Sequence, residues 1–168
     1  MSQDEARFGR ISQPRRCWAP PGMRPQVAAQ LVREYTYVYA AVAPTLGLMT
    51  SLVLPRVDTA MMQLFLEHVS QTFAEFFVVM QVDQAAWHCS KTMALPDNIR
   101  LIYQPPYSPE LNPTEHVWEE LREKYFPNRL CSSLDQVIEV LCQGLNDLMA
   151  DPAHVRSLTD FPHFSIEV

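Results

Sequence analysis

Hydrophobic and polar residues follow one another along this chain in a pattern that predicts a mixed α/β fold. Residues 2–11 alternate with a period of two, which is typical of a strand. Two apolar runs at 35–44 and 48–55 flank a short turn with Gly47 and predict a hairpin. The nearly continuous apolar run at 76–83 has the length and composition of a strand that is buried on both faces.

Helical periodicity follows the hairpin and dominates the second half of the chain. Asp58 is expected to cap a helix over about 59–75, and a short strand is expected at 99–103. Two more helices are expected over about 113–125 and 134–150, whereas the tail from residue 151 gives no clear pattern. The predicted fold is therefore an α/β sheet covered by helices, with antiparallel strands first and parallel pairing later.

Length and composition predict one folded domain over residues 1–168. The chain is 48% hydrophobic and 19% charged, which argues against disorder. No run approaches the roughly 20 apolar residues of a membrane span, and the N-terminus has no signal-peptide core. The four cysteines, Cys17, Cys89, Cys131 and Cys142, show no CxxC spacing and predict reduced thiols, so we expect a cytoplasmic protein.

Charge is unevenly distributed, which changes the expectation for partners. The net charge is −6, but the first 56 residues hold seven arginines against three acidic residues. Arginine suits bidentate contact with phosphate. The alternative is that these arginines are solvated loop charges. Candidate DNA contacts lie in the loop after the first strand: Arg15, Arg16, Trp18 and Arg24. The alternative role of Trp18 is a hydrophobic anchor for this loop.

Three acidic residues stand at positions that favour chemistry. Asp4 falls on the apolar face of the first strand, with Glu5 on the polar face, and a core-facing acid needs a partner or a metal. Asp83 ends the buried strand, where parallel sheets collect ligands, although an Asx-turn is the alternative. His88 follows as a second potential ligand or proton carrier, although a histidine in such a loop is more often simply exposed.

Glu115 has two interpretations. Asn112 is placed to cap the next helix with Pro113 at its first position, and Glu115 then has the capping-box spacing. Alternatively, the Pro-rich loop at 105–113 delivers Glu115 rigidly to a metal site. Three clustered carboxylates need a cation, and oxygen ligands select Mg²⁺ or Mn²⁺ over zinc.

Two segments, VDQAAWH and PPYSPELNPTEHVWEELR, resemble the catalytic core of insertion-sequence transposases of the Tc/mariner superfamily. The opening QDEARFGR and the later CWAPPGMRP are similar to the first strand of that family and to its tryptophan-containing loop. The resemblance implies an RNase H-like fold, with Asp4, Asp83 and Glu115 as the catalytic acids. It also implies that these acids hold two Mg²⁺ or Mn²⁺ ions. It favours the metal-site interpretation of Glu115.

The resemblance also implies DNA as the substrate, with cleavage and strand transfer at transposon ends, and a homodimer is expected. Gln84 departs from the asparagine that usually follows the second aspartate in the family. The helix-turn-helix region expected ahead of the core is absent from the chain, which implies a separate N-terminal DNA-binding polypeptide or a missing segment. An inactive remnant that only binds nucleic acid or protein, and a hydrolase acting on RNA, are the alternatives.

Overall fold

The protein folds into a five-stranded sheet with helices on both faces. The structure, a computed structural model, describes residues 1–12, 14–85, 87–88 and 93–161. The strands are β1 (Ser2–Ile11), β2 (Leu31–Ala43), β3 (Leu48–Leu54), β4 (Val78–Val82) and β5 (Ile99–Tyr103). The helices are α1 (Thr59–Thr72), α2 (Thr114–Lys124), α3 (Leu134–Met149) and α4 (Pro152–Thr159), with a 3₁₀ turn at Pro109–Leu111.

The sheet combines the two kinds of pairing that the sequence predicts. Its strand order is β3-β2-β1-β4-β5. β1, β2 and β3 pair antiparallel, whereas β4 runs parallel to both β1 and β5. The parallel register aligns Ser2 with Gln81, so Asp4 and Asp83 each follow two residues further along neighbouring chain segments. The topology therefore brings the first two predicted acids to the same level of the sheet.

Each face of the sheet has its own apolar core. Phe8 and Ala40 pack with residues of α2, α3 and α4 on one side, including Trp118 and Leu141. The other side buries a cluster formed by α1, β4 and β5, in which Phe65 contacts Tyr39 at 5.6 Å between ring centroids. Because both faces are covered, the adjacent residues Ser2 and Gln3 at the start of β1 are both buried.

Helix ends follow capping rules, with one difference from expectation. The carboxylate of Asp58 accepts the Met61 N–H at 2.8 Å at the start of α1, as predicted. Asp151 accepts the His154 N–H at 3.0 Å, with Pro152 at the first position of α4. The tail that the pattern left unassigned therefore contains a capped helix of eight residues. The cap signal was present in the sequence, but a helix this short shows little periodicity.

β4 is shorter and less enclosed than the sequence predicts. The apolar run at 76–83 contributes only Val78–Val82 to the strand. Val79 is 46% exposed and Phe77 is 62% exposed, so one face of β4 is partly open near its start. The preceding residues leave α1 through a turn rather than extending the strand.

Candidate active site

The three acidic residues singled out in the sequence line one cavity. It has a volume of about 500 Å³ and lies at the carboxyl ends of β4 and β5. Asp4 comes from β1, Asp83 from the residue after β4, and Glu115 from the first turn of α2. Three separate elements therefore converge on the same space, and the Pro-rich loop with Pro105 and Pro109 forms its rim.

Asp4 is largely buried, with its carboxyl beside the core. Its Oδ2 accepts a hydrogen bond from Trp118 Nε1 at 2.8 Å, and Trp118 is itself buried in the core. Burial raises the pKa of the Asp4 carboxyl to about 7, and the negative charge of Glu115 adds to this effect against the opposing Trp118 hydrogen bond. Without a cation, the site therefore holds more negative charge than its surroundings favour.

Asp83 is held from two directions through one oxygen. Its Oδ1 accepts the Ala85 N–H at 2.9 Å, which is the Asx-turn considered from the sequence, and also faces His88 Nδ1 at 2.6 Å. The hydrogen bond from His88 lowers the pKa of Asp83 although partial burial opposes it. The turn and the cavity position are thus compatible, so the two interpretations of Asp83 do not exclude each other.

His88 and Glu5 differ from expectation. The His88 side chain is only 1% exposed, so the expectation of an exposed loop histidine is wrong. Its Nε2 lies 3.0 Å from Glu5 Oε1, and the Glu5 side chain is 6% exposed rather than on a solvated face. Burial alone would lower the pKa of His88, but the hydrogen bonds to Asp83 and Glu5 raise it to about 10. The alternation in β1 predicted a polar face for Glu5. A local pattern contains no information about the second layer of residues that covers this face of the sheet.

The start of α2 also differs from the predicted cap. Pro113 precedes the helix at Thr114, and the Oδ1 of Asn112 accepts the Thr114 N–H at 3.2 Å. The Asn112 N–H donates to the Pro109 carbonyl at 2.9 Å, so it is not engaged in a capping box with Glu115. The amide of Asn112 instead donates to the Gln3 carbonyl at 3.2 Å, which fixes the Pro-rich loop against β1. Glu115 is left to face the cavity.

Several residues of the site escaped the sequence argument. Trp118 stood out only as part of an apolar stripe, yet it lies one helical turn after Glu115 and contacts Asp4. Gln84 lines the cavity and its amide donates to the Gln104 carbonyl at 2.9 Å, which joins the loops after β4 and β5. The longer side chain at this position therefore has a structural partner. Spacing from Glu115 was the available signal for Trp118, whereas nothing local pointed to Gln104.

Comparison with known proteins identifies the family. A family model of DDE superfamily endonucleases matches residues 1–138. The protein "y4pE/y4sA" of Sinorhizobium fredii, which has no assigned function, is 36% identical over 125 residues, covering 74% of this chain and 93% of that protein. This chain belongs to the DDE superfamily endonucleases.

Solved structures confirm the fold of this DDE domain. The Mos1 transposase paired-end complex with the left transposon end aligns with a TM-score of 0.63 at 17% identity over 95% of this chain. The Mos1 mariner paired-end complex with Mn aligns with a TM-score of 0.64 at 15% identity over the same share. The chain spans about half the length of these solved relatives, at 55% and 53%. The RNase H-like fold expected from the sequence is thus confirmed.

The arginine-rich loop of the DDE domain leaves the cavity rather than lining it. Arg16, Trp18 and Arg24 are exposed, and Trp18 is fully so, which excludes the hydrophobic-anchor interpretation. Arg15 contacts Glu123 of α2 at 2.9 Å between Nε and Oε1. It lines a second cavity with Arg7 and Arg122, and Glu115 lies at the boundary of the two cavities.

The remaining expectations concern membrane spans and cysteines. None of the helices in the described part of the chain combines the length and apolarity that crossing a bilayer requires. Cys89 lies outside the described residues. Cys17 and Cys142 are exposed free thiols, and Cys131 is a buried one.

Proposed function

We propose that this chain is the catalytic domain of a DNA transposase that cleaves phosphodiester bonds and transfers strands at transposon ends. The convergence of Asp4, Asp83 and Glu115 on one cavity carries the proposal. Membership of the DDE endonucleases supports the reaction class. The fold shared with Mos1, whose solved complexes contain transposon ends, supports DNA as the substrate.

The donor set fits a divalent cation. The three acids supply only oxygen atoms, which Mg²⁺ and Mn²⁺ prefer. The raised pKa of Asp4 reflects burial and the neighbouring charge of Glu115, and a bound cation would offset both. In the described residues no three His, Cys, Asp or Glu side chains already stand together as a metal-binding group. We therefore expect the carboxylates, held by separate elements, to draw together around the ion.

The side chains of the cavity divide the work of the proposed reaction between metal binding and orientation. Asp4, Asp83 and Glu115 would hold the ions, and Trp118 fixes the orientation of Asp4 through its N–H. When bound, two divalent ions activate the attacking water or 3′-hydroxyl and stabilise the leaving oxygen. The Pro-rich rim restricts the backbone freedom of the loop next to the reacting phosphate.

DNA would approach along the arginines beside the acidic cavity. Arg7, Arg15 and Arg122 border the cavity that adjoins Glu115, and Arg16, Trp18 and Arg24 extend this surface outward. Arginine pairs with phosphate, and exposed aromatic rings stack on bases. Tyr107, fully exposed at the rim with a φ of 58°, offers a second ring. In this proposal the chain acts as a homodimer, and a separate N-terminal polypeptide contributes DNA binding.

A nicking assay on supercoiled plasmid tests this function. With Mg²⁺ or Mn²⁺ the chain should nick DNA weakly and with little sequence preference, and Asp83→Asn should abolish nicking while the fold is retained. Glu110→Gln, which removes an acid outside the cavity, is the matched control and should nick like the parent. Equal nicking by Asp83→Asn and the parent would show that the site is misassigned. A folded parent that never nicks DNA would instead favour an inactive remnant.

A further inference from the structure

We infer that Glu5 and His88 act as a positioning pair that presents a single oxygen of Asp83, Oδ2, to the metal. This inference rests on the proposed function, because it concerns the same metal site. Its basis is a continuous hydrogen-bonded chain from Glu5 through His88 to Asp83.

Both ring nitrogens of His88 are committed to acids. Nδ1 lies 2.6 Å from Asp83 Oδ1, and Nε2 lies 3.0 Å from Glu5 Oε1. Ionised carboxylates only accept hydrogen bonds, so each nitrogen donates its own N–H. With its side chain 1% exposed and absent from the cavity lining, His88 has no nitrogen left to bind a metal. The sequence suggested His88 as a metal ligand. We instead infer that His88 contacts a metal ligand, Asp83, and does not contact the ion.

The pair joins the two segments that carry the first two acids. Glu5 is the neighbour of Asp4 on β1, and its side chain points to the opposite face of the sheet. His88 lies in the loop after β4, five residues beyond Asp83. A hydrogen bond between Glu5 and His88 therefore fixes the loop against β1, and with it the position of Asp83 relative to Asp4.

The contacts of Asp83 distinguish its two oxygens. Oδ1 accepts from both the Ala85 N–H and His88 Nδ1, whereas Oδ2 accepts no hydrogen bond from any residue that the structure describes. The Asp83 side chain is 43% exposed and lines the cavity. An oxygen that already accepts two hydrogen bonds has little lone-pair density left for a cation, so Oδ2 is the ligand atom. Outer hydrogen-bond partners of this kind orient metal ligands.

Glu5 supports His88 from the buried side of the ring. Its side chain is 6% exposed, and its Oε1 lies 3.0 Å from His88 Nε2. Because the ring has a partner at each of its nitrogens, it keeps a fixed orientation toward Asp83.

Two isosteric substitutions of His88 separate the two hydrogen bonds. The amide nitrogen of asparagine matches Nδ1 in reach and that of glutamine matches Nε2. His88→Asn therefore keeps the donor to Asp83, and His88→Gln keeps the donor to Glu5. We expect His88→Gln, which loses the contact with Asp83, to weaken Mn²⁺ binding about 10- to 100-fold. His88→Asn, which loses only the contact with Glu5, should give an affinity between those of His88→Gln and the parent. Affinity is measured by calorimetric titration of Mn²⁺ into the full chain, with folding checked by circular dichroism.

The pattern of outcomes tells the inference from its alternatives. A merely structural role would lower the melting temperature of both variants and leave their Mn²⁺ affinities equal, which would overturn the inference. Parent-like affinity in folded His88→Gln would overturn it as well. If the parent itself bound no Mn²⁺, the proposed metal-dependent function would fail, and the inference would fail with it.

A measurement on the unmodified chain covers the case in which His88→Gln does not fold. In crystals soaked with Mn²⁺, the anomalous peak should lie within coordination distance of Asp83 Oδ2, with Oδ1 still hydrogen bonded to His88. Coordination through Oδ1, or a His88 ring that has turned away from Asp83, would contradict the inference.

Discussion

At the scale of single residues, the surroundings of Asp4 explain why the site favours a bound cation. Asp4 lies on the core side of β1, receives the Trp118 N–H at 2.8 Å, and has a pKa raised to about 7 by burial and by the charge of Glu115. The alternation of β1 predicted this orientation, and the cost of burying an acid predicted that a partner or metal would be needed. The Trp118 contact was not predictable, because it joins residues 114 positions apart.

The raised pKa of Asp4 gives a pH-dependent stability. A carboxyl with a higher pKa in the folded state binds more protons there, so its contribution to stability falls as pH rises from about 4 to about 7. Asp4→Asn keeps an oxygen for Trp118 and should stabilise the metal-free chain at pH 8 by on the order of 2 kcal/mol. The gain should vanish near pH 4.

Urea denaturation of parent and variant in the presence of a chelator measures this difference. His88 also titrates between the folded and unfolded states, with stability lost as pH rises toward about 10, but it is common to both proteins and cancels in the comparison. A stability difference that does not change between pH 4 and pH 8 would contradict the account of Asp4.

At the scale of elements, the loops that join regular structure decide the shape of the site. Periodicity predicted β1, the hairpin, β5 and three helices to within a few residues. The sequence pattern was wrong about the capping box at Asn112. The Asn112 side chain instead donates to the Gln3 carbonyl and accepts the Thr114 N–H. Periodicity also missed α4, because an eight-residue helix carries a cap signal but no long apolar stripe.

The hairpin turn between β2 and β3 supports α4. Gly47 has a φ of +66°, and a Cβ added there would lie 2.0 Å from the Pro152 carbonyl oxygen at the start of α4. We expect Gly47→Ala to destabilise the chain by about 2–4 kcal/mol, since it combines left-handed strain with a backbone clash.

Gly22→Ala is the matched control for this substitution. Gly22 also has a positive φ, at +82°, but nothing lies within 4 Å of an added Cβ. Gly22→Ala should therefore lower the free energy of unfolding by only about 1 kcal/mol. Chemical denaturation of both variants gives the comparison, and equal losses would show that the hairpin turn and α4 do not pack as described.

At the scale of the whole molecule, an acidic protein presents a localised basic surface. The net charge is −6, yet the segment 12–30, which contains Trp18, holds three arginines and no acidic residue. The cavity that adjoins it is mixed in charge, since its lining has three arginines and four glutamates. Composition predicted the asymmetry but could not show where these side chains lie. The structure places Arg15 beside the cavity and leaves Arg16 and Arg24 exposed outside it.

The basic surface predicts a salt-dependent affinity for DNA. Replacing both Arg16 and Arg24 by alanine should weaken binding to a short duplex regardless of its sequence. The slope of log affinity against log salt concentration should become shallower by about two, which is one phosphate contact for each arginine. Fluorescence anisotropy at several salt concentrations measures the slope.

Arg156→Ala in α4 serves as the control, since it removes an exposed positive charge from a helix that does not border the acidic cavity. It should leave the slope unchanged. Equal slopes for all three proteins would remove the loop from the proposed DNA path.

The resemblance in the sequence singled out three acids, and the fold explains how residues so far apart come to line one cavity. Strand pairing aligns Asp4 with Asp83, and the Pro-rich loop brings the start of α2 back across β1. The Glu5–His88 contact could not be foreseen, because alternation placed Glu5 in solvent and a lone histidine gives no spacing signal. Long-range contacts of this kind depend on layers that no local pattern describes.

Calorimetric titration of Mn²⁺ into the parent, Asp4→Asn, Asp83→Asn, Glu115→Gln and Glu110→Gln tests the central claim most directly. We expect the parent and Glu110→Gln to bind alike, and each of the other three variants to lose at least about tenfold in affinity while remaining folded. Unchanged Mn²⁺ binding in any one of those three would contradict a metal site shared by Asp4, Asp83 and Glu115.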